Sequence, residues 1–231
     1  MDSVALLATL GVVLTVVVVA AAVVMNSRRH QALQAWAAQR GWRYLDRRNT
    51  ELTRALRGGP FGTGSSRHAD EVLEGEYVGR PARSFRYTYV TRSTDGQGRT
   101  SQTNHRFHVV SLGLPAPLPR IELTPENALT RVANALGARD VDLEHEDFNR
   151  AWRVQGPPDQ VTYDVLHPRM MERLMAEDLR GQRLLIEGDA IFWWDRGSPD
   201  LATVDPALAR LTAVVELVPS FVWDNFGGRH A

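Results

Sequence analysis

The chain opens with twenty-two residues that carry no charge, Val4 to Met25, followed at once by Arg28, Arg29 and His30. Val, Leu and Ala fill nearly all of this run, interrupted only by Gly11 and two threonines. At a rise of about 1.5 Å per residue it would extend about 33 Å as a helix, enough to cross the hydrocarbon core of a bilayer. A soluble core helix of this length would carry a polar stripe, and none is visible here. A cleaved signal peptide needs a basic start and a shorter apolar core that ends in small residues. Ala20-Ala21-Ala22 imitates such an end, but the N-terminus carries Asp2 and no basic side chain. The expected reading is a retained anchor over residues 1–25, with a signal peptide as the alternative. Gly11 and Thr15, four apart, are either a small pair that lets two helices approach or ordinary lipid-facing sequence.

Orientation follows from the flanks. Beyond the apolar run, Arg28, Arg29, Arg40, Arg43, Arg47 and Arg48 face a single acid, Asp46, whereas the near side has only Asp2 and the terminal amine. Basic residues close to a membrane-spanning end stay on the cytoplasmic side. The N-terminus is therefore expected outside and residues 26–231 inside, in the cell membrane. Charge is zero overall but unevenly spread: residues 26–120 hold 16 arginines and 7 acids, residues 121–231 hold 11 arginines and 19 acids. A basic, membrane-proximal half suits anionic lipids of the inner leaflet. The alternative is that two halves of one fold complement each other's charge. The arginines are scattered and no binding motif accompanies them, so nucleic acid is not an expected partner.

Two missing residue types narrow the chemistry. There is no cysteine, which removes disulfides, thiol nucleophiles and cysteine metal sites. Every basic residue other than histidine is arginine, so the lysine of a phosphate-binding loop, a kinase or a Schiff-base enzyme has no counterpart. No cofactor is expected.

Pattern and punctuation predict an α+β fold. Residues 26–40 read as a helix with Leu33, Trp36 and Ala37 on one face and Gly41 as its stop. A short strand at Gly41–Tyr44 and a short helix over 50–57 complete a basic juxtamembrane region, 26–57. Gly58-Gly59-Pro60-Phe61-Gly62-Thr63-Gly64-Ser65-Ser66 reads as the core of a linker over 58–67; a phosphate cradle is the alternative, though no Lys follows it. Strands are expected at 72–78, 83–91 and 106–114, with Phe85, Tyr87 and Tyr89 alternating onto one face and an exposed loop over 93–102. Pro115, Pro117 and Pro119 should break regular structure. Helices are expected after Thr124-Pro125, with Leu129, Val132 and Leu136 as the buried stripe, from Pro168 to about 177, and after Asp205-Pro206. Phe148–Val154 reads as a strand, and 184–186 with 190–194 as a hairpin about Gly188-Asp189. Residues 68–231 thus form one domain of antiparallel strands and several helices, or two subdomains dividing near 115–119.

Candidate chemistry is sparse. His105 and His108 are three apart, which on a strand places them on opposite faces, and no third ligand accompanies them. Glu144-His145-Glu146-Asp147 gathers carboxylates that would serve a cation or an acid–base pair, but equally describe a solvated turn. Trp193 and Trp194 are adjacent on a strand, so one ring is a candidate interaction surface unless both faces are buried.

The segments Glu146–Val154 and Leu166–Leu174 together resemble a bacterial family of membrane-anchored proteins catalogued only as a domain of unknown function. The motifs are an acid-Phe and aromatic-x-Val strand, then Leu-x-Pro with a Met-Glu-x-Leu helix, then an Ile-bearing hairpin. The resemblance covers about residues 70–195, whereas the single short membrane helix and the Gly-rich segment depart from it. It implies membrane anchoring and carries over no catalytic residue. The expected function is that of a binding or adaptor module held at the inner membrane face by residues 4–25. The alternatives are a tethered enzyme using Glu144, Glu146 or the histidines, and an exported protein.

Overall fold

The computed structural model describes residues 2–126, 143 and 145–227. It is an α+β protein: an N-terminal apolar helix leads into a six-stranded antiparallel sheet with helices on one face. Helix α1 (Asp2–Gln39) is unbroken for 38 residues, because neither proline nor a turn-forming pair interrupts the sequence. Within it, Val13–Gln39 is long and apolar enough to cross a membrane. Gly41, at φ +66°, ends the helix as the sequence predicts.

The strands are β1 (Arg43–Leu45), β2 (Ser65–Tyr77), β3 (Arg80–Thr94), β4 (Thr100–Pro125), β5 (Trp152–Gln155) and β6 (Leu184–Arg196). They run in the order β1-β2-β3-β4-β5, with β6 on the other edge of β4. Helices α2 (Glu146–Ala151), α3 (Gln160–Val165), α4 (Pro168–Met175), α5 (Leu201–Leu217) and α6 (Ser220–Gly227) complete the described chain.

Several expected elements take another form. Pro115, Pro117 and Pro119 do not end a strand; β4 runs through them, and its ladder to β6 shifts between Gly113 and Leu118 instead. Proline removes a donor but tolerates extended backbone, so a bulge absorbs it. Opposite that shift, β6 bends at Gly188 (φ +66°), so 184–196 is one kinked strand and not a hairpin. Thr124-Pro125 closes β4, and the helix expected after it, with Leu129, Val132 and Leu136, lies outside the described residues. Residues 148–151 are helical, since His145 Nδ1 caps α2 by accepting from the Phe148 amide at 3.2 Å. Helix α5 starts four residues before Asp205: Asp200 caps it by accepting from the Ala202 amide at 3.0 Å, and Pro206 falls inside.

Both faces of the central strands are buried. One face packs Val110, Leu112, Ile191 and Trp193 against α1, α4 and α5, through Leu33, Trp36, Met170, Leu208 and Leu211. The other packs Phe85, Tyr87, Val109, Phe192 and Trp194 beneath Phe61 and Leu56. The boundaries expected at 26–57 and 58–67 therefore do not separate units. Leu33, Trp36 and Ala37 belong to the main core, and Phe61, in the Gly-rich segment, is fully buried between Tyr87 and Phe192. Burying that one ring contributes about 2 kcal/mol, which no mobile linker would forgo.

Candidate functional site

The junction between α1 and the sheet gathers more charge than any other buried place among the described residues. Glu71 is 1% exposed and sits at a bulge of β2 with φ +48°, a left-handed conformation that few non-glycine residues adopt. There its carboxylate meets two guanidinium groups. Arg29 of α1 donates through Nε to both oxygens at 3.1 Å and through Nη2 at 2.8 Å, and Arg86 of β3 donates through Nη1 at 2.8 Å. Arg86 also forks onto Asp70 at 2.7 and 3.0 Å, and Arg29 reaches the Pro199 carbonyl at 2.9 Å, just before α5. Burial works against the Arg86 charge, but the Asp70 hydrogen bonds and the Glu71 charge outweigh it and raise its pKa. Two arginines balance two acids, so the junction is neutral as a whole. Such buried pairs seldom add stability over an apolar core, yet they allow only one geometry.

Around this centre, the Tyr44 hydroxyl lies 2.6 Å from His30 Nδ1, and His30 lies 3.4 Å from Asp46. Burial, and then the charges of Asp46 and Glu71, push the Tyr44 phenol well above its usual range. Farther along, the Trp42 indole donates to the Glu76 carbonyl at 3.2 Å and packs edge-on against Trp36. It covers Gly75 so closely that a Cβ there would stand 2.5 Å from the ring.

The six flanking arginines divide into two groups. Arg29 is held by Glu71, Arg40 by Asp205 at 2.7 Å, and Arg43 by Glu74. Arg28, Arg47 and Arg48 are exposed and have no ion pair among the described residues. Nothing in the linear sequence separates the two groups, because the acids that engage three of them lie 31 to 165 residues away.

The other candidates resolve into structural roles. Trp193 and Trp194 point to opposite faces as expected, but both are buried, at 7% and 5% exposure, so neither offers an interaction surface. Trp193 donates to Gln182 at 2.6 Å, and Trp194 lies against Gly59. The Gly-rich segment does turn its amides towards carboxylates, but the acids are the protein's own. Glu187 accepts from Arg57 and Gly58 at 3.0 and 3.1 Å, and Glu122 from Gly59 at 2.8 Å. These contacts fill the cradle that a phosphate would need. Burial raises the Glu122 pKa despite the Gly59 amide.

His105 stacks on Tyr89 at 4.6 Å, while His108 lies on the opposite face against Trp193, so they share no ion. No group of three or more potential metal ligands occurs among the described residues. His108 Nε2 does lie 2.9 Å from Ser84 Oγ, a spacing that suits a nucleophile and its base. However, Ser84 is completely buried, and His108 Nδ1 meets Thr203 Oγ1 at 3.2 Å and no carboxylate. Burial pushes the imidazole down to about 4, so it is a neutral link between β3, β4 and α5. Glu146 and Asp147 are exposed on α2 beside Arg150, and Glu144 lies outside the described residues.

Sequence reasoning missed Glu71, Arg86 and Asp70. Their only local signal is the adjacent acids Asp70 and Glu71, just before the strand expected from residue 72.

No protein-family model matches the chain, and no curated protein matches it. Among solved structures it is similar to the crystal structure of the mycobacterial trehalose monomycolate transport factor A, TtfA. The TM-score is 0.54 at 12% identity, over 82% of this chain and 96% of that one. At this identity the likeness is one of fold.

Proposed function

We propose that the protein is a single-pass membrane adaptor, N-terminus outside, whose α+β domain is held at the cytoplasmic face by α1. The observation that carries this reading is the junction. One unbroken helix passes from the apolar span into the core of the domain, and the part-buried Arg29–Glu71 pair fixes the domain on it. A tether needed only to retain an enzyme would work with a flexible connection, whereas a rigid one sets the height and orientation of a binding surface. The likeness in fold to a protein named as a transport factor supports a positioning role over catalysis. The partners proposed are the bilayer, through residues 4–25, anionic lipid of the inner leaflet, and a protein of the same membrane.

Topology tests it. A reporter active only in the cytoplasm and one active only outside are each fused to the C-terminus, and the membrane fraction is assayed. Cytoplasmic signal that stays with membranes after alkaline extraction is the expected result. Outside signal overturns the orientation, and soluble signal overturns the anchor.

A further inference from the structure

Two contacts fix the direction of α1 relative to β2. Arg29 meets Glu71, and Trp42, just past the helix end, meets Glu76, so the helix and the strand run the same way. The side of the sheet nearest the apolar span is therefore the start of β2, the end of β3 and the start of β4. On that side β3 and β4 continue as a two-stranded arm. Its ladder runs from Thr91↔Thr103 to Thr94↔Thr100, past the last pairing of β2 at Val90 and of β6 at Phe107. Every residue from 92 to 104 is exposed, and the turn is tied by Asp95 accepting from the Gln97 and Arg99 amides at 2.9 Å. The loop expected over 93–102 is thus a short turn on a projecting ribbon.

Length decides what the ribbon meets. From Arg86, level with Arg29, to Thr94 is eight strand residues, about 26 Å. From Arg29 back to Met25, the end of the apolar run, is four helical residues, about 6 Å. The ribbon overreaches the space beneath the membrane. Its polar side chains and open backbone edges forbid entry into hydrocarbon, so its outer end meets the headgroups.

Its charge suits that place. Arg92, Arg99 and Arg106 have no ion pair among the described residues, and the same side of the sheet carries the unpaired Arg28, Arg47 and Arg48. The nearby acids are fewer: Asp195 pairs with Arg183, and Asp46, beside His30, and Asp95, which ties the turn, are outnumbered by the six arginines. We infer that the β3–β4 arm and these six arginines form a surface that binds anionic lipid, with the end of the arm set against the headgroups. This rests on the anchored reading above and gives the domain a second attachment to the bilayer.

The cysteine-free chain makes the test clean. Full-length Gln97→Cys, at the arm tip, and Val78→Cys, at the far end of the sheet, are reconstituted into vesicles of phosphatidylcholine with or without phosphatidylglycerol. Labelling with a membrane-impermeant donor dye selects domains that face outwards, whatever the orientation in cells, and energy transfer to an acceptor lipid is read. Stronger transfer from the dye at position 97 than from the dye at position 78 is expected, and phosphatidylglycerol should raise it; transfer that ignores phosphatidylglycerol overturns the lipid surface. Arg92→Gln with Arg99→Gln should weaken that arm contact about thirtyfold. The arm lies outside the core, so these changes leave the fold intact. Equal, weak transfer from both positions while the protein stays with the vesicles overturns the lipid surface. So does protection of the arm-tip thiol only on adding membrane proteins, which would mark strand pairing with a partner. Loss of the protein from the vesicles would instead overturn the anchor.

Discussion

Arg29 and Glu71 lie 42 residues apart, and their contact at 2.8 Å joins a membrane-length helix to the strained bulge of a strand. The pair stands about one helical turn beyond the apolar run. Any tilt of the helix therefore reaches the sheet through this contact and the Trp36–Trp42 packing beyond it.

Replacing Arg86 tests the junction most directly. Arg86→Ala leaves Glu71 and Asp70 with a single remaining guanidinium, and stranding a buried charge costs about 3 kcal/mol. Thermal unfolding in detergent should show a large loss. Arg29→Lys should cost less, because the ammonium keeps the charge and loses only the fork geometry. Equal losses would mean that the fork geometry, and not the charge alone, holds the site.

His108 should make the protein acid-sensitive. Its pKa is about 4 in the folded state, below the ordinary value of 6.5. Between these values the unfolded chain binds the extra proton, so stability is full above pH 6.5 and falls as the pH drops towards 4. The loss amounts to about 3 kcal/mol. His108→Gln should flatten the decline over that window. An unchanged pH profile would remove His108 as the cause.

Val78 occupies a position that suits another residue. With Gly79 it forms a two-residue turn between β2 and β3, at φ +46° and +73°, and it is 66% exposed. A β-branched side chain is strained there, while Asn-Gly favours this turn. Val78→Asn should stabilise the protein by about 1 kcal/mol, read by thermal unfolding. A loss would show that the exposed valine makes a contact in the assembled protein.

Gly75 is needed for close approach. Because its Cβ position falls 2.5 Å from a rigid indole, Gly75→Ala must push Trp42 away from Trp36. The expected cost is about 2 kcal/mol, with a red shift in tryptophan emission. Gly96→Ala, where no atom lies within 4 Å and the backbone is not left-handed, controls for backbone effects.

The sequence made the membrane-length helix, the α+β class and the alternation of Phe85, Tyr87 and Tyr89 legible, because each depends on local period and composition. It was misleading where tertiary packing overrides a local signal. Nine residues rich in Gly and Ser read as a linker, yet Phe61 among them carries enough apolar surface to bind the segment to the sheet, and Glu122 and Glu187 satisfy its amides. Prolines at alternate positions of β4 read as a break, yet their side of the ladder is where β6 shifts register. The junction was invisible because Arg29 gives no sign of being different from Arg28. Only the register of β2, set by long-range pairing, brings an acid to one of them and leaves the other in water.

The absence of a hinge in α1 has a rotational consequence. A continuous helix carries angular phase as well as height, and each inserted residue turns everything beyond it by about 100°. One alanine placed between Met25 and Arg28 would swing the arm to a different bearing around the helix axis without disturbing any contact inside the domain. Seven would return it nearly to its original bearing, about 10 Å farther from the bilayer. A function that depends on which neighbour the domain faces would fail with one insertion and return with seven; one that depends on distance to the lipid would show the reverse.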